Sequence, residues 1–439
     1  MQLQHLQSST QIIDLEGIKV LTDPWLTPGE THGSWYHYPP FDENCFSNLE
    51  YDFIYVSHIH PDHLSERTFK KLPRKVPVLI HNFESKFVKR KIESFGFPVI
   101  ECDNGVPFSF SVGKSLTIYA ADNCNPELCA RFMGCGKLDV TPGSTQIDTM
   151  ALFESNGRKI LNLNDCPFEL AKHTIEVNGL HMQNIDLLLV GYAGAGPYPQ
   201  CFVFDTLEQK ISAAKRKEAQ FLNQAVKYIQ LVKPKTFAPF AGTYILGSRL
   251  SVLNEYRGMP SIEKAIEFLE TKCCETSKAI LLEQFDTFDL ISQKLVKNCK
   301  SFEYSLEEYI SIISKNPLEY DADCWDEVEL PKLIEASYDR FIAKAKELNF
   351  QSTTKIIIET TTVSFEFSTE FAPRMVEIGQ TPGAPFLKIV LDHNLLHRLV
   401  RGPRYSHWNN AEGTSHLTFV RKPDIYEREL FHALCFFHA

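Results

Sequence analysis

IYVSHIHPDHLSERT, residues 54–68, is the stretch on which the reading of this chain turns. Three histidines and an aspartate stand within positions 58–63, in a chain with only 15 histidines among 439 residues. The apolar run before them predicts a short buried strand over 53–56. His58 and His60 are two apart, so in extended backbone their side chains point the same way. Pro61 then bends the chain and brings Asp62 and His63 back toward the same point. Imidazoles and a carboxylate converging at the end of a strand suit a borderline divalent metal such as zinc, iron or manganese. The plain alternative is a solvated loop, and four ligand-type residues in six positions argue against it.

Outward from that stretch, the first part of the chain alternates short apolar runs with turn residues. Residues 11–21 (QIIDLEGIKVL) predict a hairpin around the Glu16–Gly17 turn. Residues 78–80, 116–120, 150–154, 159–163 and 185–190 predict buried strands, and 85–94 and 213–231 carry helical patterns. The mixture predicts an α/β architecture of sheets covered by helices. Within ESNGRKILNLNDC (154–166), Asp165 closes an apolar strand that follows the Gly157 turn. Near residue 293 the texture changes. Residues 298–316 and 330–348 have helical spacing, 355–368 alternates as a strand or hairpin, and a helical finish runs from 386. The expected division is therefore a catalytic unit at 1–292 and a mostly helical α+β accessory unit at 293–439.

Composition narrows the function classes. Net charge is −10, from 55 acidic and 45 basic residues that are well mixed, and no basic block of a nucleic-acid binder appears. MQLQHLQSST lacks the basic start and apolar core of a secretory signal. No stretch approaches the roughly 18 continuous apolar residues of a membrane span. The expectation is a cytoplasmic protein without nucleic-acid or membrane partners. Its 12 cysteines have no disulfide-scaffold spacing and read as mostly buried thiols.

The H-x-H-x-D-H pattern of His58–His63 resembles that of the metallo-β-lactamase fold superfamily. That resemblance implies an αββα sandwich in which His58 and His60 bind one metal, Asp62 and His63 bind a second, and Asp165 bridges both. Asp62 and His63 are then also the catalytic pair. LTDPWLTPG (21–29), IYVSHIHPDHLS (54–65), KILNLNDC (159–166), PFAG (239–242) and the tail VRKPDIYERELFHAL (420–434) resemble stretches of the CMP-N-acetylneuraminate hydroxylase family. The tail points to the hydroxylase group, and the likeness is expected over nearly the whole chain. It implies an oxygenase acting on a small polar metabolite such as a nucleotide sugar. The implied cofactor is one or two divalent ions, iron favoured over zinc or manganese.

The pattern departs from that family in two places. The hydroxylase carries an N-terminal Rieske domain, and no C-x-H…C-x-x-H pair occurs in this sequence. An oxygenase here would draw electrons from a separate electron-transfer protein, from the substrate or from another reductant. The superfamily's further histidine, which precedes a Pro-Glu pair in the hydroxylase, is matched by Asn125 in DNCNPEL, and Asn is a weak ligand beside imidazole. His5 resembles a superfamily histidine that faces the site. Asp23 is expected either to fix a ligand histidine by accepting its second N–H or to cap the turn before Pro24. Gly194, in the Gly-rich run GYAGAGPYP (191–199), is expected either to let backbone N–H groups approach a polar substrate or to serve a turn. Cys124, Cys129 and Cys135 match no metal spacing. Lys215, Arg216 and Lys217 read as a solvated helix face, and His407–Asn410 as a substrate wall or as packing.

Two chemistries fit these residues. An iron site with open positions supports oxygenation of a C–H or N–H bond. A zinc-type pair lowers the pKa of bound water from about 15.7 toward 7 and supports hydrolysis of a lactone, phosphodiester or amide.

Overall fold

Short runs rich in Ile, Leu, Val and aromatic residues become strands here because both of their faces find apolar cover. The computed structural model describes residues 1–121, 148–242, 244–273, 277–298 and 302–439. It arranges the strands of the first part in two large sheets. The eight-stranded sheet runs Lys294–Val296, Thr287–Asp289, Gln2–Gln7, Thr10–Asp14, Lys19–Thr22, Phe53–Tyr55, Val78–His81, Val99–Cys102. Its last four strands are mutually parallel. The seven-stranded sheet runs Lys278–Ala279, Thr236–Phe240, Leu187–Gly191, Arg158–Asn162, Thr149–Ser155, Lys114–Ala120, Phe108–Ser111. Its first four are parallel. The expected hairpin at 11–21 is present as Thr10–Asp14 paired with Lys19–Thr22. Thr149–Ser155 and Arg158–Asn162 are joined through Asn156 and Gly157, with φ of 48° and 82°. A two-residue hairpin turn needs both central residues in that left-handed region, which is why Asn-Gly stands there.

The two sheets face each other across one buried cluster, with Ile13, Tyr55 and Leu79 on one side and Phe153, Ile160 and Leu189 on the other. Helices Glu66–Lys71 and Phe87–Ser94 cover the outer face of the first sheet through Phe69, Val88 and Ile92. Helices Phe168–Val177, Leu207–Val232 and Ile262–Cys273 cover the second. The layers are therefore αββα, the expected sandwich. Each Leu, Ile or Phe fully buried in these layers contributes about 1.5–3 kcal/mol. The helix Leu207–Val232 starts with a capping box between Thr206 and Gln209 and ends on Lys233 at φ 50°. On it Lys217 is buried, contrary to the solvated face expected for 215–217. At about 100° per residue, three consecutive residues cannot share one face.

The C-terminal part is an α+β unit with its own core. Its five-stranded sheet runs Arg374–Met375, Ser364–Phe367, Lys355–Glu359, Phe386–Val390, Thr418–Lys422. Helices Leu330–Glu347, His393–Val400 and Arg428–Leu434 pack on it through Phe341, Leu395, Leu399 and Phe431. The helical finish expected from 386 thus begins with a strand, parallel to Lys355–Glu359. The hairpin Thr287–Asp289/Lys294–Val296 straddles the expected division at 292/293 and belongs to the first sheet. Val203 N–H donates to Phe419 O (2.9 Å) and Phe419 N–H to Cys201 O (2.8 Å), which fastens this unit to the segment after Leu187–Gly191. Among the described residues no helix is long and apolar enough to cross a membrane.

Candidate metal centre

His58, His60, Asp62, His63, Asp165 and Asp23 collect at one edge of the sandwich, where the parallel strands end. The first sheet sends His58–His63 from the end of Phe53–Tyr55 and Asp23 from the end of Lys19–Thr22. The second sends Asp165 from beyond Arg158–Asn162. The ring of His58 lies 4.7 Å from that of His60 and 4.2 Å from that of His63. His63 Nε2 stands 3.4 Å from Asp165 Oδ2 and 3.7 Å from Asp62 Oδ2.

One donor was not expected. Asp148 Oδ1 lies 3.2 Å from His58 Nε2, and both atoms are buried without a hydrogen-bond partner among the described residues. Ligand atoms of His58, His60 and Asp148 fall within 4.8 Å of one another, as do those of His58, His63 and Asp165. A signal for Asp148 was present in the sequence. The Asn156–Gly157 turn sets Ala151 opposite Asn162, and continuing that register three residues places 148 across from 165. Two hydrogen-bonded side chains hold this juxtaposition. Thr149 Oγ1 donates to Ser57 O (2.9 Å), tying the start of its strand to the histidine loop. Asn164 Nδ2 donates to Thr149 O (2.8 Å) and to the Tyr55 hydroxyl (3.2 Å), tying the two aspartate-bearing segments together.

Asp23 does not merely cap a turn. Fully buried, it accepts from Ser57 N–H (2.7 Å), from Ser57 Oγ–H (2.8 Å) and from His63 Nδ1–H (3.0 Å). A carboxylate only accepts, so His63 carries a proton on Nδ1, and Nε2, which faces Asp62 and Asp165, is the nitrogen that a cation can take in place of a second proton. With its own proton given to Asp23, Ser57 Oγ accepts from His58 Nδ1–H (2.9 Å). His58 Nε2 is therefore a free lone pair, aimed at Asp148. This is the outer-shell arrangement that orients metal-bound imidazoles.

Burial pushes His58 well below the ordinary imidazole range and lowers His60. Burial also disfavours a charged His63, but Asp165, Asp62 and Asp23 outweigh it and hold that ring well above the ordinary value. Burial, reinforced by the charges of Asp165 and Asp62, lifts Asp148 to about 8. Asp165 is 35% exposed in its side chain and opens onto a cavity. The orphaned pair His58 Nε2 and Asp148 Oδ1, with carboxylates crowded beside imidazoles, fits a bound divalent cation.

The cavity measures about 470 Å³ and has His60, Asp62, Asp148 and Asp165 at its floor. Gln220, Phe221 and Gln224 of the helix Leu207–Val232 form one wall, and Asn409, Asn410 and Glu412 of the helix Trp408–Gly413 another. Burial lifts Glu412 to about 7. The 407–410 stretch divides its roles. Trp408 is buried and donates Nε1–H to Phe437 O (2.6 Å), whereas the two asparagines line the cavity. Gly194 also lines it, and a Cβ there would overlap the Phe221 ring. His5 lies within the first strand, Gln2–Gln7, in the row that continues through Gln11 and Thr22. Its ring bonds Gln11, and among the described residues no hydrogen bond joins it to the histidine loop. Asn125, like Cys124, Cys129 and Cys135, lies outside the described residues.

No protein-family model matches the chain. It is 27% identical over 254 residues to the inactive cytidine monophosphate-N-acetylneuraminic acid hydroxylase of Homo sapiens, covering 56% of this chain and 45% of that protein. Identity to the cytidine monophosphate-N-acetylneuraminic acid hydroxylase of Pan troglodytes is also 27% over 254 residues, covering 56% and 38%. The likeness is thus narrower than the near full-length match expected, and the chain spans less than half the length of these curated relatives. Among solved structures, the isothiocyanate hydrolase from Delia radicum gut bacteria is 14% identical at a TM-score of 0.44, covering 66% of this chain and 99% of that one. CmlA, a diiron β-hydroxylase from Streptomyces venezuelae, is 16% identical at a TM-score of 0.41, covering 64% and 53%. By its layers, its strand order and the loop that carries its donors, the chain has the metallo-β-lactamase fold.

Proposed function

We propose that the protein is a metal-dependent oxygenase that hydroxylates a small polar metabolite, with non-haem iron as its cofactor. The observation that carries this reading is the donor set His58, His60 and Asp148. Two imidazoles and one carboxylate with open positions are the ligand type of ferrous oxygenases. His63, Asp62 and Asp165 would hold a second ion. When bound, the iron supplies activation of O₂ for insertion into a C–H or N–H bond. The chain's own residues do the rest. Asp23 and Ser57 keep both imidazole protons on Nδ1, so that His58 Nε2 and His63 Nε2 remain donors. Gln220, Gln224, Asn409 and Asn410 offer amide groups that orient a polar substrate above the floor of the cavity. The helix Trp408–Gly413 covers that floor and limits water. A separate electron-transfer protein is the proposed source of electrons.

The second reading is a zinc-type hydrolase. It is favoured by Asp62 and Asp165, two carboxylates beside the open face of the site and placed to accept a proton from an attacking water. Elemental analysis of anaerobically purified protein separates the two. Iron with substrate-dependent O₂ consumption is the expected result. Zinc with esterase or phosphodiesterase activity in the absence of oxygen would replace the oxygenase by the hydrolase. His60→Ala and Asp165→Ala are each expected to lose metal, and normal metal content in both would remove the centre altogether.

A further inference from the structure

A second group of metal-ligand side chains lies in the C-terminal unit, on elements that contribute nothing to the centre around His58. His393 and His397 stand one turn apart on the helix His393–Val400, so both rings leave the same face. Glu327, in the turn Glu327–Glu329, presents one carboxylate oxygen to each ring. Oε1 lies 2.7 Å from His393 Nε2 and Oε2 lies 3.4 Å from His397 Nε2. The ring centroids are 4.9 Å apart, and one ligand atom from each of the three residues falls within 4.8 Å of the others. His393 Nδ1 lies 2.7 Å from the Thr362 hydroxyl and 3.3 Å from that of Thr360. A proton donated from Nδ1 to Thr362 leaves the Nε2 lone pair facing Glu327.

His397 supplies an independent observation. Its side chain is 0% exposed and stacks on Trp325 at 5.8 Å. Its Nδ1 has no partner among the described residues, and its Nε2 has only the long contact to Glu327. The nitrogen that faces Glu327 is Nε2, and with one long contact it is open to an ion.

We propose that Glu327, His393 and His397 form a divalent-cation site for a borderline metal such as zinc, separate from the buried centre. Two imidazoles and a carboxylate make a three-ligand set that leaves a fourth position for water, on the side where Glu327 is 60% exposed. Asn394 stands where the helix of an H-E-x-x-H metalloprotease carries its general base, so the site is a fastener and not a second active site. It ties the segment before the helix Leu330–Glu347 to the helix His393–Val400. The same two segments are already joined by Arg398 to Asp323 (2.5 and 2.8 Å) and by Arg401 to Glu329 (2.6 Å).

The test uses the full chain, stripped with chelator, reloaded with zinc alone and counted by elemental analysis. Wild type is expected to hold about one zinc more than His393→Gln and Glu327→Gln. Zinc is also expected to raise the unfolding temperature of wild type more than that of either variant. Glu327 is exposed, so its replacement leaves the fold intact and the count interpretable. Asp148→Ala is expected to keep this zinc while losing metal at the buried centre. Equal counts in wild type and both C-terminal variants overturn the site, and so does loss of all zinc from Asp148→Ala.

Discussion

The two sheets of the sandwich furnish the buried centre in opposite ways. The first delivers His58, His60, Asp62 and His63 in one loop, so a single bend sets their spacing. The second delivers Asp148 and Asp165 from opposite strands of a hairpin, and their meeting depends on register and on the Thr149 and Asn164 bonds. A donor set built from a loop is local, whereas one built from register is a property of the whole hairpin. The most damaging way to break this contrast is Asp148→Ala. It leaves the loop intact and is expected to cost about one equivalent of metal per chain, read by elemental analysis. Unchanged metal would mean that Asp148 supplies no ligand and that the second sheet contributes through Asp165 alone.

Asp23 tests the loop side. It holds His63 directly and His58 through Ser57, so one carboxylate sets both tautomers. Asp23→Asn keeps the shape but puts an N–H₂ donor where only acceptors serve. Metal affinity should fall about 10–100-fold in a chelator competition. An affinity within twofold of wild type would show that the loop geometry needs no outer carboxylate.

This contrast also explains what could be read from the sequence. The loop was legible because its donors are contiguous, and Asp165 because an apolar strand ends on it. Asp148 was not singled out, although the Asn156–Gly157 turn carries the register that sets it across from Asp165. The strand Gln2–Gln7 escaped because Leu3 and Leu6 are three apart and fall on opposite faces, which hides the period of two. Phe386–Val390 (FLKIV) was read as the start of a helix because four apolar residues broken by Lys388 are too short a stretch to show a period of two. Its strand character comes from pairing with Lys355–Glu359, far back in the chain. The cavity wall from Asn409 and Asn410 was half legible, and Glu412 was not singled out. The residue types suggested a wall, but their distance from the histidine loop is bridged only by the folded C-terminal unit.

A pH series sharpens the comparison further. In the metal-free protein Asp148 titrates near 8, against 3.8 for an ordinary aspartate. Between about pH 4 and 8 the folded chain keeps a proton that the unfolded chain has released, so this group withdraws stability as pH rises. Asp148→Asn removes that slope. Wild type should lose on the order of a few kcal/mol relative to the variant across that window, in urea unfolding of stripped protein. Bound metal reverses the sign, because coordination needs the ionised carboxylate and strengthens as pH rises. A wild-type slope equal to that of the variant would place Asp148 in water rather than against His58.

The smallest expected effect concerns the wall and not the floor. Gly194 carries no strained backbone angle, and its reason for being glycine is steric: a Cβ would overlap the Phe221 ring. Gly194→Ala must therefore push Phe221 into the cavity or move the loop after Leu187–Gly191. Overpacking of this kind costs about 1–3 kcal/mol of stability. Metal content should be untouched, since neither residue reaches the histidines. Once a substrate is in hand, KM should rise while kcat changes little, because the displaced ring occupies substrate volume and touches no donor. If kcat fell together with metal content instead, the wall and the floor would be one mechanical unit, and the division between a binding surface and a donor cluster would have to be redrawn.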